Sequence, residues 1–171
     1  IVWGARIAYN QEADDALGIG QDKVNIDNDT GTVICSIDKD LLQIPGNHYN
    51  FVKEEYVYIT PGEGLTNFYR QLLIGDPGDN IPGCPGIGVV KAGQALNELG
   101  SERELFNRVV ELYRKALPEL KREDLNIRIL QTGQLLKIRQ KEDEKLWQFP
   151  TSLKSTPTED FKPLSTPQKP V

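Results

Sequence analysis

Seven carboxylates fall into three short groups along the chain, and their spacing could hold metal ions. The groups are Glu12, Asp14 and Asp15 in QEADDALG, Asp38 and Asp40 in SIDKDLLQI, and Asp76 and Asp79 in GDPGDN. Carboxylates held close together repel one another, so either some are protonated or a cation lies between them. Hard divalent cations with oxygen ligands, Mg²⁺ or Mn²⁺, suit such a set. Two such ions about 3.5–4 Å apart can activate a water molecule and stabilise the leaving oxygen of a phosphodiester.

Spacing within the second and third groups predicts that their side chains lie together. Asp38 and Asp40 are two apart after a predicted strand, so an extended backbone would direct both to one side. Asp76 and Asp79 are three apart, which one helical turn would place on one face. Each group also has an ordinary structural explanation, because acids favour the first turn of a helix, aspartate caps helices after strands, and Asp, Asn, Gly and Pro form turns. The three groups together, in this order, favour a metal site.

A loop rich in glycine and proline, GDPGDNIPGCPGIG, runs from Gly75 to Gly88 and leads into the helical pattern VVKAGQAL. The stretch GCPGIG followed by VVKAGQAL has the form of a helix-hairpin-helix. Free backbone N–H groups at such a helix start can bind a phosphate, and this contact carries no base information. The candidate DNA-binding residues are Gly83, Gly86, Ile87, Gly88, Val89, Val90 and Lys91. Read alone, the GIG triplet could instead be a plain tight turn.

The elements that must position these groups follow from local patterns. EADDALGIG predicts a helix whose start Glu12 and Asp14 straddle, and TVICSID predicts a buried parallel strand in which Cys35 is a small buried residue. KDLLQI predicts one short helical turn, and HYNFV and EYVYIT predict strands. GLTNFYRQLLIG predicts a helix with Leu65, Phe68, Leu72 and Leu73 on one face. The later stretches VVKAGQALNEL, ERELFNRVVELYRKAL and LNIRILQTGQLLKI all predict helices.

Composition limits the class of protein. The chain has 171 residues, of which 38% are hydrophobic and 26% are charged, as in a globular protein, and it shows neither a membrane-spanning run nor a signal peptide. Two cysteines do not make a disulfide framework, which favours a reducing, cytoplasmic setting. The net charge is −5, but residues 101–141 carry ten bases and six acids, a net charge of +4. His48 is the only histidine, so a histidine cluster is excluded.

In that order, EADD, SIDKDLLQI and GDPGDNIPGCPGIG resemble the second half of the 5′-nuclease family. Its members include the 5′–3′ exonuclease domain of bacterial DNA polymerase I, phage 5′–3′ exonucleases and flap endonucleases. The resemblance covers Ile7 to Leu99 and extends more loosely to about Trp147. It implies an α/β fold with part of a PIN-like parallel sheet, followed by a helical helix-three-turn-helix region. The corresponding domains are the nuclease core at 1–63 and the DNA-binding region at 64–149. The resemblance does not extend to residues 150–171, where five prolines predict a flexible tail.

The resemblance also implies roles for the acids. Glu12 and Asp14, with Asp15, match the first metal site, Asp38 lies between the two sites, and Asp40, Asp76 and Asp79 match the second. The glycine-rich loop and the helix after it match the element that holds duplex DNA, which in the family also binds K⁺. The implied activity is 5′–3′ exonuclease and 5′-flap endonuclease hydrolysis with two Mg²⁺ or Mn²⁺ ions. The implied partners are DNA with a 5′ end or flap, or an RNA primer, and no membrane.

One departure from the family pattern concerns the N-terminal side. The family begins with a strand that ends in a metal-site aspartate and continues through a helical arch, and both are expected before Ile1. The chain also contains no methionine. We therefore expect the C-terminal portion of a longer nuclease, with poor activity on its own. A non-catalytic, sequence-independent DNA-binding module and a related RNA-directed nuclease remain the alternative hypotheses.

Overall fold

The computed structural model describes residues 7–26 and 31–150. The predicted tail, apart from Pro150, lies outside the described residues. The described residues divide into two compact units, one formed by residues 7–26, 31–60 and 138–145 and the other by residues 61–137 and 146–150. The described parts contain both helices and short strands, so the protein is a mixed α/β protein. The PIN-like sheet and the helix-hairpin-helix remain predictions.

The first unit contains a three-stranded sheet and a helix. Its elements are α1 (Ala13–Ile26), β1 (Val33–Cys35), a 3₁₀ turn (Asp40–Gln43), β2 (Gly46–Asn50) and β3 (Glu55–Ile59). The sheet order is β1-β2-β3, with β1 parallel to β2 and β2 antiparallel to β3. The predicted helix, the parallel strand, the short helical turn and the two strands after it are therefore confirmed. The second strand ends at Asn50, so the predicted continuation through Phe51 and Val52 is wrong, and these residues form the turn into β3.

The prediction that Cys35 is buried is wrong. Successive side chains of a strand point to opposite faces, and in β1 only Ile34 is buried while Cys35 is exposed. Ile34 packs in a small cluster with Leu41, Ile44 and Ile138. The apolar run TVICSI suggested a strand buried on both faces, but this strand is at one edge of the described sheet and has one buried face.

The second unit is mainly helical. Its elements are α2 (Pro61–Ile74), β4 (Gly75–Asp76), β5 (Ile81–Pro82), α3 (Val89–Leu96), α4 (Glu102–Ala116) and α5 (Arg122–Leu136). All four predicted helices are confirmed. The strands β4 and β5 pair antiparallel and form a small hairpin inside the glycine-rich loop.

The core of the second unit forms around α2. Phe68, Leu72 and Leu73 are fully buried, and Leu65 packs against them while half-buried, so the predicted apolar face is confirmed. Tyr113 of α4 donates a hydrogen bond from its hydroxyl group to the carbonyl oxygen of Leu72 at 2.8 Å. Helices α3, α4 and α5 all contact α2, so α2 is the central helix of this unit, and it packs against α3 on the other side of the glycine-rich loop.

Candidate functional site

The first acidic group lies at the start of α1, as predicted. Glu12 immediately precedes the helix and is exposed, while Asp14 and Asp15 belong to its first turn. Asp15 accepts a hydrogen bond at Oδ1 from the backbone N–H of Arg139 at 2.8 Å, and its Oδ2 lies 3.9 Å from the guanidinium of Arg139. The carboxylate of Asp15 therefore fastens the start of α1 to the segment 138–145.

Asp14 connects the first acidic group with the second. Partial burial raises the pKa of Asp14, and the negative charges of Asp38 and Asp15 raise it further. The structure thus brings Asp14 and Asp38 within electrostatic reach of each other, although 24 positions separate them in the sequence. A cation placed between two such carboxylates would relieve their repulsion.

The second acidic group lies in a turn, and the predicted extended backbone is wrong. The N–H of Asp38 donates to Oγ of Ser36 at 3.0 Å, and the N–H of Asp40 donates to Oδ1 of Asp38 at 2.9 Å. Hydrogen bonds of this kind bend the chain locally, because an aspartate side chain replaces a backbone acceptor. Asp38 remains exposed and Asp40 begins the 3₁₀ turn half-buried, so each carboxylate has its own position rather than a shared side of a strand.

The third acidic group lies in the β4–β5 hairpin, and the predicted helical turn is wrong. Asp76 accepts hydrogen bonds at Oδ1 from the N–H groups of Gly78, at 2.7 Å, and of Asp79, at 3.4 Å. Asn80 then adopts a φ of 58°, which closes the turn before β5. Asp76 is half-buried at the end of β4 and Asp79 is exposed in the turn.

Within residues 7–26 and 31–150 no group of three or more His, Cys, Asp or Glu side chains has an arrangement that could hold a metal ion. The role of the seven acids as metal ligands and catalytic groups therefore remains a prediction.

His48 is buried, its Nε2 lies 2.8 Å from the carbonyl oxygen of Ile44, and burial lowers the pKa of its imidazole. This histidine has a structural position in β2.

The glycines of the candidate DNA-binding loop have two distinct environments. A Cβ at Gly83 would lie 2.4 Å from the backbone of Ile74, and Gly75 likewise abuts the backbone of Gly83, so both allow two chain segments to approach closely. Gly86 has a φ of 76°, and a Cβ at Gly86 or Gly88 would meet no atom within 4 Å. The loop is packed at Gly83 and open at Gly86 and Gly88.

Helix α3 begins directly after the open part of the loop. Gly88 is its N-cap and supplies no side-chain hydrogen bond, and the first two side chains, Val89 and Val90, are 71% and 72% exposed. Nζ of Lys91 donates to the carbonyl oxygen of Gly86 at 2.9 Å, a contact that the sequence did not predict. Ile87 is half-buried, and its N–H donates to the carbonyl oxygen of Cys84 at 3.1 Å. The first backbone N–H groups of α3 thus lie beside an open surface.

Comparison with known proteins finds similarity to nucleic-acid enzymes of bacteria. The chain is 33% identical over 112 residues to a DNA polymerase I of Rhizobium leguminosarum, with 59% of this chain and 11% of that protein covered. It is 35% identical over 98 residues to a DNA polymerase I of Borreliella burgdorferi, covering 51% and 11%, and 30% identical over 86 residues to a 5′-3′ exonuclease of Halalkalibacterium halodurans, covering 48% and 25%. The resemblance to the 5′-nuclease family is confirmed.

The similarity to this family has a limited extent. The chain spans about a tenth to a quarter of the length of the curated relatives it matches. No family model matches the chain. Over the described residues no helix is long and apolar enough to cross a membrane.

Proposed function

We propose that the chain is part of a metal-dependent 5′–3′ exonuclease and 5′-flap endonuclease that hydrolyses DNA. The observation that carries this proposal is that Asp14 and Asp38, from two separate acidic groups of the family motif, lie close enough for the charge of Asp38 to raise the pKa of Asp14. The similarity to proteins named DNA polymerase I and 5′-3′ exonuclease supports the same activity.

Asp14 and Asp38 are proposed to hold one hydrated divalent ion together. Mg²⁺ usually retains several water molecules and takes only one or two carboxylates together with substrate phosphates, so two carboxylates are a sufficient protein contribution to one ion. Glu12 lies two residues from Asp14 and Asp40 lies two residues from Asp38, and both are proposed as further ligands. Asp76 and Asp79 are proposed as ligands of a second ion. When bound, such ions would activate a water molecule and stabilise the leaving oxygen of the phosphodiester.

Asp15 has a different proposed role, because Arg139 already occupies its carboxylate. It fixes the first turn of α1 and thereby the position of Asp14. We therefore propose Asp15 as a positioning residue for the acidic pair rather than a metal ligand.

The start of α3 is the proposed contact for duplex DNA. Its first N–H groups and the positive end of the helix dipole favour a phosphate, and the open space at Gly86 and Gly88 leaves room for a nucleic-acid backbone. Such a contact would hold the duplex without reading its sequence. A K⁺ ion at this loop remains part of the proposal.

The test is an assay of the full chain on a 5′-flap duplex and on a blunt duplex of the same sequence. We expect weak cleavage near the flap junction in Mg²⁺ or Mn²⁺, none in EDTA, and none by an Asp14→Asn/Asp38→Asn variant. Glu119→Gln/Asp143→Asn, which removes two exposed acids outside the three groups, is the matched control and should retain cleavage. Cleavage that persists in EDTA or in the Asp14→Asn/Asp38→Asn variant would contradict the proposal.

The second candidate is the non-catalytic DNA-binding module, which the exposed start of α3 favours. Binding of both duplexes without cleavage in either metal would support this candidate. Cleavage of a flapped RNA in preference to the DNA flap would support the RNA-directed alternative instead.

A further inference from the structure

A groove on the second unit lies between α4 and α5 and has no counterpart in the sequence motifs. Its volume is about 590 Å³. Val110, Glu111 and Lys115 form part of its lining. The rest of the lining consists of two arginines, two phenylalanines and two asparagines: Arg114, Arg122, Phe106, Phe149, Asn107 and Asn126.

The positive charge of the groove is not balanced by Glu111, the acidic residue of its lining. Glu111 is the lining carboxylate, and it already accepts a hydrogen bond from Lys115 at 2.6 Å and lies 3.5 Å from Nε of Arg108. Arg114 and Arg122 make no ion pair within residues 7–26 and 31–150. Two guanidinium groups in one groove therefore lack an anionic partner in the described protein.

The aromatic side of the groove packs through Trp147 against the hydrophobic core of the second unit. The rings of Phe106 and Phe149 have centroids 5.0 Å apart, and the ring of Trp147 packs near both, with its centroid 6.4 Å from that of Phe106 and 5.7 Å from that of Phe149. Trp147 in turn packs edge-on against Phe68 of the core at 5.3 Å. The phenylalanines are therefore held in place by the aromatic cluster and offer apolar ring surface to a ligand.

We propose that this groove binds a nucleotide of a single-stranded nucleic acid. Guanidinium groups bind phosphates bidentately, aromatic rings accept stacked bases, and asparagine amides can pair with base edges, so each part of a nucleotide has a matching group. The volume is also within the range usual for ligand sites. The inference rests on the proposed function in supposing a nucleic-acid substrate, and it adds a site for an unpaired strand that is separate from the loop at Gly86–Gly88.

Other ligand classes match the groove less well. Inorganic phosphate would satisfy the two arginines and leave the phenylalanine rings exposed to water. An apolar ligand would cover the rings and leave both guanidinium groups without an anion. A phosphorylated peptide offers an anion but no planar base to place against Phe106 and Phe149.

The experiment uses Trp147 as the reporter, because its ring contacts both phenylalanines. In the full chain with Trp3→Phe, Trp147 is the remaining tryptophan. We expect a saturable change of its fluorescence on titration with oligothymidylate. Arg114→Ala/Arg122→Ala should weaken this binding at least about tenfold, and the slope of log affinity against log salt should fall by about 0.7 for each phosphate that the variant no longer neutralises.

The matched control is Arg103→Ala/Lys121→Ala, which removes two positive charges from α4 and from the residue before α5 without touching the groove lining. It should bind oligothymidylate within about twofold of the parent, as expected for screened surface charges. Unchanged binding by Arg114→Ala/Arg122→Ala would overturn the inference, and so would equal weakening in the control. Equal binding of an abasic oligomer or of a phosphoserine peptide would overturn the assignment to a nucleotide.

Failure of this inference can be distinguished from failure of the proposed function. If the chain bound and cleaved flapped duplex but not oligothymidylate, the groove assignment alone would fail. If oligothymidylate bound through Arg114 and Arg122 while no duplex was bound or cleaved, the nuclease proposal would fail and the groove assignment would stand.

Discussion

Asp15 and Arg139 are 124 residues apart in the sequence, and the backbone N–H of Arg139 donates a hydrogen bond to Oδ1 of Asp15 at 2.8 Å. The contact joins the first turn of α1 to the segment that follows α5, within one compact unit. The two adjacent aspartates therefore have different surroundings. Asp15 accepts a hydrogen bond from the backbone of Arg139, whereas the negative charge of Asp38 raises the pKa of Asp14.

The first prediction concerns the stability of this contact. Asp15→Ala should lower the free energy of unfolding by about 1–3 kcal/mol, because the N–H of Arg139 would lose its partner in a partly buried place. The side chain of Asp15 is only 17% exposed, so water would not fully replace the carboxylate. Urea unfolding followed by circular dichroism measures the change.

The control for Asp15→Ala is Glu12→Ala, which removes an exposed acid just before the same helix. Its effect should remain within about 0.5 kcal/mol, as for ordinary surface substitutions. Equal unfolding midpoints for the two variants would contradict the positioning role of Asp15.

The second prediction concerns the pH dependence of stability at Asp14. Burial and the charges of Asp38 and Asp15 raise the pKa of Asp14 above its ordinary value of 3.8, so the folded protein binds this proton more tightly than the unfolded chain. The stability that this proton contributes is complete below the unfolded pKa and is lost as pH rises through the folded pKa. Ionised Asp14 therefore destabilises the folded chain at neutral pH.

Asp14→Asn carries no charge at any pH, so its stability relative to wild type should increase as pH rises from below 3.8 to neutrality. The measurement is the difference in unfolding free energy between the two proteins across a pH series without divalent ions. A difference that did not change with pH, or that favoured wild type at neutral pH, would contradict the stated electrostatics. Added Mn²⁺ should narrow the difference, because a bound cation stabilises ionised Asp14.

The secondary structure was largely predictable because its causes are local. Phe68, Leu72 and Leu73 recur at helical spacing, and that spacing alone predicts which face of α2 is buried. Cys35 was mispredicted because a short apolar run does not reveal whether one or both faces of a strand will be covered.

Contacts between residues far apart in the sequence could not be predicted from local sequence patterns. A Cβ at Gly133 would lie 2.3 Å from the ring of Trp147, so a glycine in the middle of α5 is explained only by a side chain 14 residues later. The acidic groups were found by their residue types, but the turns at Asp38 and Asp76 depend on side-chain-to-backbone hydrogen bonds that residue spacing does not predict. The groove of Arg114 and Arg122 also arises only when α4, α5 and Phe149 meet.

The third prediction concerns the metal ligands. Isothermal titration of Mn²⁺ should give measurable binding to the full chain and weaker binding to Asp76→Asn/Asp79→Asn. Asparagine can still accept the hydrogen bond from the N–H of Gly78, so the β4–β5 hairpin should stay intact while its charge is removed.

Asp14→Asn/Asp38→Asn tests the acids of the first unit in the same way, and Glu119→Gln/Asp143→Asn again provides the charge-matched control. Equal Mn²⁺ binding by the full chain and Asp76→Asn/Asp79→Asn would remove the hairpin from the proposed ligand set. An equal loss of Mn²⁺ binding in Glu119→Gln/Asp143→Asn would show that only the net charge of the protein attracts the ion.

The last prediction concerns the binding of duplex DNA at the start of α3. Gly88 has a φ of −104° and a ψ of −175°, extended values that valine adopts readily, and an added Cβ would meet no atom within 4 Å. Gly88→Val should therefore leave the fold intact and block the approach of a phosphate to the N–H groups of α3. Affinity for duplexes should fall by a similar factor whatever their sequence, because a backbone contact reads no bases.

Gly20→Val is the matched control, since it adds the same side chain to a glycine of α1 whose added Cβ would also meet no atom within 4 Å.

Lys91 needs two variants because its Nζ also donates a hydrogen bond to the carbonyl oxygen of Gly86. Lys91→Gln keeps a donor and removes the charge, so the slope of log affinity against log salt should fall by about 0.9 if Lys91 contacts a phosphate. Lys91→Ala removes the donor as well and should weaken binding further. Anisotropy in Ca²⁺ across a salt series measures all four variants, and unchanged affinity in a folded Gly88→Val would make GIG a plain turn.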